Sequence, residues 1–219
     1  MVDYSDMVDL RKPRKRFLYS LTQLLVFLSF KILFGLKVSG RKNVPDKGSF
    51  ILASNHQSWF DPPIIGASCP RELHYAAKKE LFDIFLLGSL VRYFNSIPVK
   101  RSGFDRAALV KLTEELKRGN CIIIFPEGKR FKDGRLHPAK PGVGLLALQL
   151  NTPILPCYIE GSNKLNRQVI GRRLRLVFGK PFMISDLDLG DIDGKDAYRA
   201  IADLVMVKIA ELGGIEAHE

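Results

Sequence analysis

Cysteine is scarce in this chain of 219 residues: Cys69, Cys121 and Cys157 are an odd number, none stands in a CxxC spacing, and each lies in or beside an apolar segment. That argues against a disulfide framework or a zinc centre, and for a reduced cytosolic setting with thiols as small buried hydrophobes. Acidic residues are also short, 23 Asp and Glu against 34 Lys and Arg, giving a net charge of +11. Nine acidic and three basic residues from Met183 onward leave residues 1–182 with +17. A basic body of this kind favours polyanionic surroundings: nucleic acid, an anionic membrane or phosphate-bearing substrates. No internal repeat or low-complexity tract is present, and 46% hydrophobic with 26% charged residues exclude wholesale disorder. Asp186, Asp188, Asp191, Asp193 and Asp196 lack the order and terminal Glu of an EF-hand. They read as a solvated acidic loop favouring a helix start, not as a calcium site.

Apolar runs long enough for a bilayer are limited to one, Phe17 to Leu36, twenty residues behind the basic cluster Arg11-Lys12-Pro13-Arg14-Lys15-Arg16. No A-x-A-like cleavage site follows it, so it is not read as a secretory signal. Ser20, Gln23, Lys31 and Gly35 fall near one line at helical spacing, and basic residues flank both ends. Those features predict a helix lying in the interface of an anionic bilayer rather than crossing it, with a single span as the alternative.

From Lys37 the composition is that of a soluble domain, giving segment 1–36 as a membrane-anchoring helical region and 37–219 as one α/β domain. Strands are predicted at Phe50–Ala53, Leu73–Ala77, Ile97–Val99, Cys121–Phe125, Ile154–Ile159 and Leu174–Phe178. Helices are predicted at Pro62–Ala67, Leu81–Tyr93, Asp105–Lys117, Val143–Leu150 and Lys195–Leu212. The alternation implies a layered α/β domain with a largely parallel central sheet. Cys121 to Phe125 has no polar alternation, as expected of a strand buried on both faces.

Chemistry concentrates where these strands end. Asn55-His56-Gln57-Ser58-Trp59-Phe60-Asp61 follows the first strand, with Pro62 and Pro63 behind it. Two arrangements fit. His56 and Asp61 can form a general base held by a carboxylate, or Asp61 can cap a helix that opens at Pro62 while His56 is a polar loop residue. Phe125-Pro126-Glu127-Gly128-Lys129-Arg130 leaves the buried strand at the same sheet edge, where ligands of parallel sheets bind. Gly128 would permit close backbone approach, Arg130 could fork onto a phosphate, and Glu127 could accept hydroxyl protons. Lys78 and Lys79, then Lys100 and Arg101, end two further strands, making an anion pocket beside a base. Arg167, Arg172, Arg173 and Arg175 read as surface charge within reach of lipid headgroups.

Asn55-His56-x4-Asp61, Phe125-Pro126-Glu127-Gly128 and the basic segments between them resemble the glycerolipid acyltransferase superfamily, in particular its 1-acylglycerol-3-phosphate acyltransferases, from about Lys37 to about Ser162. The resemblance implies a glycerol-phosphate acyltransferase-like α/β fold and transfer of an acyl chain from acyl-CoA or acyl-carrier protein to a lysophospholipid at an anionic bilayer. It implies no metal, no other cofactor and no nucleic acid. In that family the motif His is the base and the Asp orients it, which carries over to His56 and Asp61. Cations matching Lys78, Arg101 and Arg130 hold the acceptor phosphate, with Glu127 and Gly128 in the same substrate site. Leu155-Pro156-Cys157-Tyr158-Ile159 resembles a fourth block that shapes the acyl site. This chain has Lys129 where the family usually has Thr or Ser, and Asn95 where a Gly commonly stands. Related readings are another lysolipid or glycerol-phosphate acceptor. A non-enzymatic basic membrane-surface module would explain the charge but give His56 and Asp61 no task.

Overall fold

The computed structural model describes residues 13–100, 105–165, 174–187 and 194–215. Helix α1 (Pro13–Phe34) leads into strand β1 (Lys37–Ser39) and then β2 (Ile51–Ser54), α2 (Asp61–Ser68) and β3 (Leu73–Lys78). Helix α3 (Leu87–Tyr93), β4 (Ser96–Val99), α4 (Arg106–Lys117), β5 (Cys121–Ile124) and α5 (Gly142–Leu150) follow, then β6 (Ile154–Glu160), β7 (Arg175–Phe178) and α6 (Gly194–Gly213). The seven strands form one sheet in the order β1-β7-β6-β2-β5-β3-β4. Pairing is parallel from β6 through β2, β5 and β3 to β4; β7 pairs antiparallel to β6, and β1 runs parallel to β7. This is the layered, largely parallel α/β architecture expected from the alternation of segments.

Central strands bury both faces, so their side chains alternate between two cores rather than between core and water. Ile51, Ile122 and Ile154 face α4, α5 and α6, in one cluster with Leu112, Val143 and Ile201. Leu52, Ile123 and Leu155, partners in the ladder, face the opposite side with Ile64 and Ile65 of α2 and Phe30 of α1. Cys69, Cys121 and Cys157 are buried free thiols, and burial pushes Cys69 to about 12 and Cys121 to about 11, as inert core residues require.

Two local expectations are corrected and one strand is added. The helix expected over Leu81–Tyr93 is interrupted: a 3-10 turn ends at Asp83, and α3 starts only at Leu87 after Leu86 adopts φ 64°. The short β1 was not read from sequence, and it reaches the sheet by pairing with the antiparallel β7. The stripe of Ser20, Gln23, Lys31 and Gly35 does not share one surroundings, because Gln23 turns toward the domain. Its amide donates to the carbonyls of Gly66 and Cys69 at 2.6 and 2.8 Å, satisfying the C-terminal end of α2. Tyr19 and Phe30 are buried beside it, whereas Leu18, Leu24, Leu25, Leu28, Ile32 and Leu33 are exposed. Residues Phe17–Phe34 are apolar and long enough to cross a membrane.

Candidate active site

β2 must surrender its backbone pairing at Ser54 for the chain to turn into the His56 loop, and Asn55 keeps the ladder satisfied there. Its side-chain amide donates to the carbonyl of Ile159 at 2.9 Å and its oxygen accepts the Ile159 N–H at 2.9 Å, imitating one more β2–β6 residue pair. The fourth motif block therefore meets the site through Ile159. None of its residues lines the cavity beside His56.

The loop that follows is wound around Asp61. Its Oδ2 accepts the N–H of Gln57 at 2.6 Å and of Ser58 at 2.7 Å, and lies 2.8 Å from Nδ1 of His56. Asp61 is fully buried and points back into the loop, so the reading of it as a forward N-cap is corrected: α2 begins without a side-chain cap, and Pro62 and Pro63 occupy its first turn. An ionised carboxylate only accepts, so Nδ1 carries the proton and Nε2 is left as the basic ring nitrogen. The ring is stacked on Phe125, centroids 3.9 Å apart and planes within 19°, which fixes its tilt.

Glu127, expected in contact with substrate, turns inward instead. It is 3% exposed; Oε2 accepts the backbone N–H of His56 at 2.8 Å and Oε1 accepts that of His137 at 3.1 Å. Phe131 N–H donates to the His56 carbonyl at 2.9 Å, so both sides of the His56 peptide backbone are held from the segment after β5. Burial raises the Glu127 carboxyl to about 7, against the lowering effect of the two N–H donors.

A cavity of about 710 Å³ opens beside His56. Its apolar walls come from α1, α2 and α3, including Val26, Ala67, Leu90 and Phe94; its polar lining includes Lys78, Lys100, Arg130 and Lys140. Gly128 also lines it, in the left-handed region at φ 69°, and a side chain there would strike the methylenes of Lys140 at 2.7 Å. Lys140 thus lies across Gly128 at the cavity wall. Arg130 places its guanidinium 3.4 Å from the Trp59 ring centroid, a stack that orients it over the loop preceding Asp61. Lys78 lies 3.3 Å from Glu80 at a half-exposed position. Arg101 lies outside the described residues.

The model of the acyltransferase family matches residues 35–160, which span β1 to the end of β6 and contain His56, Asp61, Glu127, Gly128, Arg130 and Lys140. The chain belongs to this acyltransferase family. It is 27% identical over 179 residues to the 1-acyl-sn-glycerol-3-phosphate acyltransferase of Bacillus subtilis, covering 81% of this chain and 88% of that one. The enzyme of the same name from Salmonella typhimurium is 30% identical over 190 residues, covering 82% and 76%. Among solved structures, the 1-acyl-sn-glycerophosphate acyltransferase PlsC of Thermotoga maritima superposes with a TM-score of 0.74 at 25% identity, covering 97% of this chain and 86% of that one.

The acyltransferase fold accounts for both departures from the family pattern. Asn95 sits at φ 55°, a conformation open to Gly and, among other residues, most readily to Asn. Lys129 extends over the Phe131 ring at 4.7 Å and is not part of the cavity lining. Sequence reasoning missed Lys140 and His137. Lys140 lies ten residues beyond Arg130, and its N–H donates to the Pro126 carbonyl at 2.8 Å, closing the loop. His137 stacks on Phe131 with centroids 3.5 Å apart and meets Asp133 at 2.8 Å, bracing the turn that supplies a donor to Glu127. The only available signal was a His at i, i+4 from an Asp, which is weak alone.

Proposed function

We propose that this acyltransferase moves a fatty acyl chain from an acyl thioester, acyl-CoA or acyl-carrier protein, to the free hydroxyl of 1-acylglycerol-3-phosphate, making phosphatidic acid. His56 Nε2 takes the hydroxyl proton as the oxygen attacks the thioester carbonyl. Collapse of the tetrahedral adduct expels the thiolate, which receives that proton from the imidazolium. Asp61 stabilises the imidazolium and fixes its tautomer, so no acyl-enzyme is required. Lys78, Arg130 and Lys140 neutralise the acceptor phosphate, joined by Arg101 on the strength of its place in the motif; Gly128 lets the acceptor approach the backbone. Glu127 acts through His56 as a positioning residue. The apolar part of the cavity takes an acyl chain, and α1 rests in the cytoplasmic leaflet, close to both substrates.

The observation that carries the reading is the 2.8 Å contact of His56 with Asp61 at the wall of a cavity whose charged lining is cationic. The names of the relatives and of the solved structure support the choice of acceptor. The test is release of free thiol from acyl-CoA or acyl-carrier protein on adding 1-acylglycerol-3-phosphate to the purified full chain, with phosphatidic acid as product. Thiol release that ignores the lysolipid would defeat the assignment.

A further inference from the structure

The turn between the 3-10 segment ending at Asp83 and α3 exposes three consecutive large apolar residues: Ile84 at 50%, Phe85 at 89% and Leu86 at 72%. An isolated exposed leucine is ordinary, but three adjacent ones on a projecting turn are not. The projection is rigidly built. Phe82, just before it, is buried under the Arg92 guanidinium, 5.5 Å away, and anchors the turn inward. The N–H groups of Leu87 and Gly88 donate to the carbonyls of Phe85 and Ile84 at 2.8 and 2.7 Å. Gly88 packs so tightly on the Phe82 carbonyl that a Cβ would lie 2.2 Å from its oxygen. Leu86 holds φ 64° and ψ −47°, a strained state for a branched side chain, so the backbone directs these residues outward at a cost.

Its location argues for what covers it. The Tyr19 ring of α1 lies 6.4 Å from that of Tyr93 and 5.5 Å from that of Phe94, so the C-terminal end of α3 meets α1. A seven-residue helix is about 10 Å long, so the turn stands about one helix length from the point where α3 meets α1. One cavity is lined both by α1, through Tyr19, Gln23 and Val26, and by α3, through Leu87 and Leu90, so the helix that carries the exposed leucines and the helix that follows the 84–86 turn border the same cavity. Charged neighbours of the turn are Lys78, Lys79 and Arg92 against Glu80 and Asp83, a cationic balance suited to anionic headgroups.

The geometry points to Ile84-Phe85-Leu86 as a second membrane anchor, a wedge that enters the lipid surface beside α1 and straddles the cavity mouth with it. This rests on the proposed lipid acceptor only for its purpose; insertion itself is independent of it. With two contacts, the orientation of the domain on the bilayer is fixed rather than free to swing about α1.

The test uses the full chain carrying an environment-sensitive nitrobenzoxadiazole label at Phe85→Cys, with Lys208→Cys on α6, across the sheet, as control and Leu28→Cys as the α1 reporter. On vesicles of phosphatidylethanolamine and phosphatidylglycerol, labels at 85 and 28 should brighten, shift to the blue and be quenched by spin-labelled acyl chains, while that at 208 should not respond. A label at 85 that stays in water while that at 28 inserts overturns the wedge, as does failure of the chain to bind vesicles. Ile84→Ser with Phe85→Ser and Leu86→Asn, the Asn chosen for its tolerance of positive φ, should weaken vesicle binding about tenfold or more. Transfer to vesicle-borne lysolipid should fall with it, and transfer to a short-chain soluble acceptor should be unchanged. Equal losses on both acceptors overturn the wedge. Insertion at 85 without any acyl transfer by the unsubstituted chain would sustain the wedge and defeat the functional reading.

Discussion

The backbone N–H of His56 donates to Oε2 of Glu127 at 2.8 Å, so the loop that carries the base is held by a carboxylate from the neighbouring strand's end. Two motifs separated by 71 positions are thereby one unit, because β2 and β5 are parallel neighbours and release their chains at the same edge. His56 is held at three points: Asp61 fixes its ring nitrogen, Phe125 its plane, and Glu127 with Phe131 its backbone.

His56→Ala should abolish measurable transfer, since a positioned general base is worth about two to four orders of magnitude. Its fold and vesicle binding should be unchanged, as seen by circular dichroism and co-sedimentation. A folded variant with near-normal turnover would defeat the assignment of the base.

Asp61→Asn should lower kcat by more than about tenfold and also cost some stability, because a neutral amide accepts the three N–H groups that meet Oδ2 more weakly than a carboxylate and cannot stabilise the imidazolium by charge. KM for either substrate should change little. A pure KM effect would place Asp61 in binding instead.

Glu127 gives a pH signature of two opposite signs. Its carboxyl is raised from 4.5 to about 7, so between those values the folded chain binds more protons than the unfolded one. Its contribution to stability is therefore greatest below 4.5 and is lost as pH rises through about 7. Activity should run the other way, because protonation removes an acceptor from His56 or His137. Glu127→Gln should erase this component of both the melting-temperature and the kcat profiles; an unchanged pair of profiles would refute it.

Asn55→Ala should destabilise the chain by about 2–4 kcal/mol, since it strands the buried N–H and carbonyl of Ile159 without partners. Urea unfolding measures this. A loss of activity without loss of stability would mean that Asn55 touches substrate.

Arg130→Ala and Lys140→Ala should each raise the acceptor KM about tenfold while leaving the thioester KM nearly constant, as expected for lost charge-assisted contacts to one phosphate. Lys140→Arg should recover much of the loss. The reverse pattern across the two substrates would assign these cations to the donor.

Much of the architecture could be read from residue order. Apolar runs such as Cys121 to Ile124 announce strands covered on both faces, and Leu112 with Leu116 at helical spacing announces α4. The break within Leu81–Tyr93 could not, because Ile84-Phe85-Leu86 continues an apolar helical pattern and only the backbone at Leu86 departs from it. For the same reason β1 went unread: three residues carry no period, and they become a strand only because β7 offers an edge.

Residue types and spacing alone fixed the chemistry available here: a His and an Asp within one tight loop, a Glu-Gly turn after a buried strand, and cations at strand ends. Tertiary structure decided what each of them does in space. It turned Asp61 back onto the loop, took Glu127 out of the cavity to hold backbone, and brought Lys140 across Gly128. The physical reason is that a buried carboxylate goes where N–H donors converge, and the donors of Gln57, Ser58 and His137 converge only once the strands are paired and the loops closed.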